Sequence, residues 1–255
     1  MGSIIDEINT QLDEIERREH VRILHAVESG SRAWGFASKD SDYDVRFVYM
    51  RRVEDYLRLN AYRDVIEWQL DEVLDINGWD LKKALIHFAK GNVTLFEWSG
   101  SPVVYRTTKE WKQISDAAKQ YFSIKAGAYR YYGTAKSTYE NHLKGERVRY
   151  KKYFYALRPL LAALYIERFH EMAPVAFADL VKMEMSERLR SAINELLEIK
   201  KVTTEKEENP QMPAIQEFIV SELERQEKIV KSLPDDRNKD ISTLDETFLN
   251  LVLTK

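Results

Sequence analysis

Residues 28–50 read ESGSRAWGFASKDSDYDVRFVYM: a Gly-Ser turn, a polar gap, and two aspartates spaced i, i+2 at the head of a run of β-forming residues. Side chains alternate across a strand, so residues 43–50 are predicted as a strand with Asp42, Asp44 and Arg46 on one face and Tyr43, Val45 and Phe47 on the other. Two carboxylates on one strand face are close enough to share a cation and repel each other without one. Oxygen-only ligands suit Mg2+ or Mn2+, which keep part of their shell for water and nucleotide phosphates. The turn completes the pattern, because glycine lets the backbone approach a phosphate closely while N–H groups and the Ser31 hydroxyl donate to its oxygens. Arg32 adds positive charge. Asp42 and Asp44 are therefore candidate metal ligands, and Gly30, Ser31 and Arg32 candidate polyphosphate ligands. The bland alternative, a polar loop capped by Asp40 or Asp42, is the weaker one once turn and strand are taken together. Arg46 is read as an ion-pair partner of the aspartates, and Arg32 equally as a solvent-facing turn residue.

Outward from this stretch, Ile5, Ile8, Leu12 and Ile15 recur at helical spacing and predict an amphipathic helix over 3–18. Strands are expected at 21–29, 64–70 and 72–77. A helix follows over 78–92, with Leu81, Leu85 and Phe88 on one face and Gly91 at its stop. From residue 110 the pattern is helical almost throughout: 110–122, 124–143, 148–172, 184–201, 211–231 and 243–253. The switch falls near SGSPVVYRTTKE (99–110). The expected architecture is α+β: a small mixed sheet with flanking helices over 1–105, then an all-helical domain over 106–255. The stretches 200–213 and 234–240 read as charged connectors.

The chain has 255 residues, enough for one large or two modest domains. With no cysteine, disulfides, zinc-thiolate sites and thiol nucleophiles are excluded and a reducing, cytoplasmic setting is expected. No stretch has the length and apolarity of a membrane span, and the N-terminus lacks the pattern of a leader. Met-Gly-Ser is a weak match to a myristoylation start, since Asp6 stands where Ser or Thr is expected and the helix that follows is acidic. The formal net charge of −3 hides an asymmetry: between residues 125 and 158, nine Lys or Arg face only Glu140 and Glu146, a local +7. Seven of the fourteen tyrosines share that segment. Such a stretch can meet phosphates with its charges and bases with its rings; a solvated helix face with half-buried tyrosines is the commoner outcome for such composition. Within it, Lys151, Tyr155 and Arg158 fall on one helical face, with Lys152 beside them, and Pro159 is expected to kink the helix. The five histidines show no metal-ligand spacing.

GSRAWGFASKDSDYDV resembles the signature of the DNA polymerase β nucleotidyltransferase superfamily, Gly-Ser followed after about ten residues by Asp-x-Asp on a strand. Within it the chain most resembles the RNA-ligase-associated nucleotidyltransferase (RlaP-like) family. ESGSRAWG, SDYDVRF, DINGWDLKKAL, KGNVTLFEW followed by SPVVY, and KKYFYALRPLLA carry the likeness over well over half of the chain. The resemblance implies transfer of an NMP from an NTP such as ATP to an acceptor hydroxyl, with Gly30 and Ser31 on the triphosphate and Asp42 and Asp44 on Mg2+ or Mn2+. It also implies a third carboxylate on a later strand. Asp75 is the first choice, Glu67 the second, and Asp80 is expected to cap a helix. Helices that close the nucleotide cleft in the superfamily make Lys151, Lys152, Tyr155 and Arg158 candidates for contacting phosphate or base; packing is the equal alternative for Tyr155. The family's association with RNA ligases and the basic segment favour an RNA end as acceptor. Transfer to a small molecule or a protein side chain, and a non-catalytic nucleotide sensor, are the alternatives.

Overall fold

In the computed structural model, residues 3–38, 41–60, 62–69, 73–202 and 207–253 are described; Asp40 of the opening motif lies outside them. The chain forms two compact units, one of residues 1–33, 41–122 and 237–255, the other of residues 34–40 and 123–236.

The first unit begins with α1 (Ile4–Glu19), the predicted amphipathic helix. Ser3 and Asp6 close its start as a reciprocal capping box, and His20 ends it in the left-handed region. Its apolar stripe, Ile8, Leu12 and Ile15, is wholly buried, each side chain being worth roughly 1.5–3 kcal/mol in removed apolar surface. There follow β1 (Arg22–Glu28), the short α2 (Gly30–Trp34), β2 (Tyr43–Met50), α3 (Val53–Tyr56), β3 (Val65–Gln69), β4 (Leu74–Asp80), α4 (Leu81–Ala89), α5 (Val93–Ser99), β5 (Val104–Thr107) and α6 (Lys109–Ala118). The sheet order is β3-β4-β2-β1-β5, with β2 and β4 parallel and the other pairs antiparallel. Val45, Phe47 and Tyr49 of β2 join the α1 stripe in the core together with Leu74 and Ile76 of β4.

Several expectations shift. The strand expected at 72–77 runs on to Asp80, because β4 stays paired with β2 through Tyr49↔Asp80, and the helix expected from residue 78 starts at Leu81. Gly78 permits this: the ring of Phe47 lies over it, so close that a Cβ would sit 2.2 Å from two ring carbons. The stretch 99–110, expected as a boundary, carries the edge strand β5, paired with β1. Four residues with exposed or half-buried side chains show too little periodicity to be read; only the distant partner reveals the strand. α6 belongs with the sheet, and so does the C-terminal α12, which packs on α4 and α6.

The second unit contains α7 (Ile124–His142), β6 (Arg147–Arg149), α8 (Tyr150–Phe169), α9 (Phe177–Leu180), α10 (Glu187–Val202), β7 (Glu208–Pro210) and α11 (Pro213–Ser232); α12 (Ser242–Leu253) then returns to the first. It is mainly helical, as expected, apart from the three-residue ribbon β6–β7. α8 is continuous through Pro159. Residues 34–40 supply Phe36, whose ring stacks on Phe154 and meets Phe177 edge-on. No helix among the described residues is long and apolar enough to cross a membrane.

Candidate active site

The polar face of β2 is where the opening motif resolves. Parallel pairing sets Asp44 directly opposite Asp75 and Arg46 opposite Asn77, so the two carboxylates stand side by side on adjacent strands. Arg46 bridges them, one guanidinium nitrogen donating to Asp44 Oδ1 at 2.9 Å and to Asp75 Oδ2 at 2.8 Å. Its other nitrogen donates to the carbonyls of Val45 and Asp75 at 3.0 and 3.1 Å. With side-chain exposures of 20% for Arg46, 34% for Asp44 and 45% for Asp75, each pair is worth about 1 kcal/mol or less. The bridge aligns the carboxylates without locking them.

The turn after β1 meets this pair from the other side. Gly30 has φ 61°, a conformation that favours glycine, and a Cβ on it would lie 2.2 Å from Asp44 Oδ2. Asp44 therefore rests against the bare backbone of the Gly-Ser turn. The next residue, Ser31, is buried in α2. Ser29 N–H donates to the Asp44 carbonyl at 2.8 Å, and Asp44 N–H to Glu28 Oε1 at 2.8 Å. Asp42 lies one residue before β2 and is exposed. Arg32 clamps that approach: it donates to the carbonyls of Asp42 (3.0 Å) and Ser41 (2.6 Å), and its guanidinium lies 3.6 Å from the centre of the Tyr43 ring.

Glu28 and Tyr105 belong to this arrangement, and sequence reasoning missed both. Glu28 closes a strand whose buried length is otherwise apolar except for His25, and a carboxylate at the end of such a run was the available signal. It is 1% exposed, and burial pushes its carboxyl pKa up, while the Tyr105 hydroxyl and the Asp44 N–H that it accepts pull the other way. Glu28 thus fixes the backbone of Asp44 rather than facing the cleft with it, since it pairs with Val45 on the opposite face of the sheet.

Of the other acidic candidates, Glu67 is 64% exposed on its side chain and paired with Arg63. Asp80 is the N-cap of α4, accepting from Lys82 N–H at 2.8 Å and from the hydroxyls of Tyr56 and Tyr62 at 2.9 and 3.2 Å. Lys151, Lys152, Tyr155 and Arg158 lie on α8 in the second unit. The ammonium groups of Lys151 and Lys152 stand 5.9 and 5.6 Å from the Tyr155 ring centre. Arg158 is 2% exposed, set 4.7 Å from the Trp34 ring centre and donating to the Val175 carbonyl at 3.3 Å.

For a divalent cation, the donor chemistry fits. Asp44 and Asp75 offer carboxylate oxygens already arranged about a positive group, the Arg46 guanidinium, and exposed Asp42 lies just ahead of Asp44 in sequence. Among the described residues no three His, Asp or Glu side chains converge on one point, so a third ligand would come from a side-chain rearrangement, from water or from substrate.

A mixed sheet with an Asp-x-Asp strand set against a Gly-Ser turn is the arrangement of a nucleotidyltransferase of the polymerase β type. The chain belongs to the RNA repair pathway DNA polymerase beta family (RlaP), which it matches over residues 4–250. It is similar to YcgL, an uncharacterized protein of Bacillus subtilis (strain 168), with 40% identity over 253 residues, 98% of this chain and 95% of that protein. A solved structure of a nucleotidyltransferase-like protein from Exiguobacterium sibiricum 255-15 aligns over 90% of this chain and 75% of its own, at 11% identity and a TM-score of 0.32; a likeness that slight carries no weight here.

Proposed function

We propose that the protein transfers an NMP unit from an NTP to an acceptor hydroxyl, and that the acceptor is an RNA end. The observation that carries this reading is the Asp44 carboxylate, held against the Gly30 backbone on one side and paired in register with Asp75 on the other. The acceptor oxygen attacks the α-phosphorus as the bond from that phosphorus to the bridging oxygen of the β-phosphate breaks, and pyrophosphate leaves with the electron pair. Asp75 takes the hydroxyl proton. Gly30 N–H and the Ser31 hydroxyl receive the β- and γ-phosphates, while Asp42 and Asp44 hold the divalent ions and Arg32 keeps the 41–43 backbone in place. Bound there, Mg2+ or Mn2+ supplies charge stabilisation at the attacking and leaving oxygens. For RNA, the support is the family's description as belonging to an RNA repair pathway and the basic, tyrosine-rich segment. On α8, Lys151, Lys152 and Tyr155 are the proposed contacts to phosphate or base, with Arg158 as their support; partnership with an RNA ligase fits the same reading.

The seating of Arg46 between Asp44 and Asp75 favours a second reading, a nucleotide-binding protein without turnover. Incubation with α-labelled NTPs, Mg2+ and total RNA separates the two. The expected outcome is label on RNA that falls by at least about 100-fold in Asp42→Asn and Asp44→Asn. Label on the protein or a small molecule would redirect the acceptor; NTP retention without transfer would establish the sensor.

A further inference from the structure

Away from the carboxylate site, the sheet-bearing unit holds an open trough of about 600 Å3 between α4 and the returning C-terminal segment, within the roughly 300–1,000 Å3 of small-ligand sites. Its walls are apolar: Leu85 and Ile86 from α4, then Ile241, Leu244 and Phe248 around and along α12. Ile86 and Ile241 leave 46% and 47% of their surface in water, an uncovered apolar pair where folding normally hides such side chains. The rim is cationic. Lys82 and Lys90 bracket Ile86 at intervals of four along α4 and its C-cap, Arg237 and Lys239 approach from the connector, and Asp245 is the one acid among the lining residues. Among the described residues Lys82, Lys90 and Lys239 take part in no ion pair.

That combination selects its ligand. A cationic ligand would be repelled by the rim, and a neutral apolar one would leave the lysines without counter-charge while it covered the isoleucines. A nucleotide would press a polar base and ribose against aliphatic walls with few hydrogen-bonding partners. Charge complementarity and apolar area are met together by an amphipathic monoanion. We infer that the trough binds a fatty-acid-type ligand, its aliphatic chain along Ile86, Ile241, Leu244 and Phe248 and its carboxylate among Lys82, Lys90 and Lys239.

The test is calorimetric titration of the full chain with dodecanoate, with dodecyltrimethylammonium as the ligand of equal tail and opposite head. Saturable one-to-one binding of dodecanoate and none of the ammonium compound is expected. The double variant Lys90→Glu, Lys239→Glu, at exposed positions, should weaken dodecanoate binding by about tenfold or more, and Ile86→Asp should remove it, while thermal melting shows both variants folded. Absence of saturable dodecanoate binding, equal binding of both heads, or affinity unchanged in the folded variants would each overturn the inference. So would capture of an acidic amphipathic peptide by a protein that ignores dodecanoate.

Discussion

At Asp44 two local demands meet. Its carboxylate must approach a turn whose backbone is left-handed, and its N–H must find a buried acceptor; Gly30 answers the first and Glu28 the second. Ala at position 30 would bring both a strained φ and a Cβ overlapping Asp44 Oδ2. Gly30→Ala is expected to lower unfolding stability by about 1–3 kcal/mol and to lose nucleotidyl transfer, because the relief of the clash is to swing Asp44 away. Denaturant titration beside the labelling assay checks this, and a variant with wild-type midpoint and activity would refute it. Arg32 shows how residue type understates role: its charge can serve phosphate, yet its contacts order the backbone that carries Asp42.

Among the elements, the β2–β4 pair is the most constrained, because it carries Asp44 and Asp75 on one face and the α1 core on the other. The Phe47 ring lies close against Gly78, so Gly78→Ala forces the ring out of its place and is expected to cost about 1–3 kcal/mol, read as a lowered melting temperature; an unchanged melt would mean that the strands part freely. β1 contributes a pH dependence through His25, which is 4% exposed, stacked on Trp111 at 4.6 Å, and within 3.1 Å of Thr107 Oγ1 and 3.2 Å of the Trp98 carbonyl. Burial pushes its pKa from 6.5 down to about 4. On acidification the unfolded chain binds the proton first, so this stability is present above pH 6.5 and is lost as pH falls towards 4, at most about 3 kcal/mol. Glu28 and Asp80, both shifted upward by burial, act in the opposite sense, so the quantity to measure is a difference. Wild type should lose more stability across that window than His25→Gln, and parallel profiles would show that the histidine is not the cause.

For the whole molecule, the uneven charge outweighs the net charge. A segment of +7 in a chain of −3 leaves −10 for the remainder; with RNA as the proposed acceptor, steering to that one stretch and repulsion elsewhere is the expected outcome. RNA affinity should fall linearly on a log–log plot against salt, with a slope of about −0.7 for each phosphate contacted on a single strand. Lys151→Ala with Lys152→Ala should make that slope shallower. A flat salt response would count against RNA as acceptor.

The sequence determined by itself what depends on neighbours in the chain. The helical repeat of α1, the alternation of β2 and the glycine before Ser31 all follow from spacing and residue type, whereas Asp75 and Glu67 both stayed open as the carboxylate of a later strand. Only the tertiary structure decided what depends on pairing between distant segments. It set Asp75 opposite Asp44 and gave β5 its strand through β1. It also returned α12 to the sheet-bearing unit and made Glu28 the acceptor for the Asp44 N–H. The reason is physical: local periodicity records which face of an element is apolar, whereas register and contact arise from hydrogen bonds and packing between residues far apart in sequence, which no short window contains.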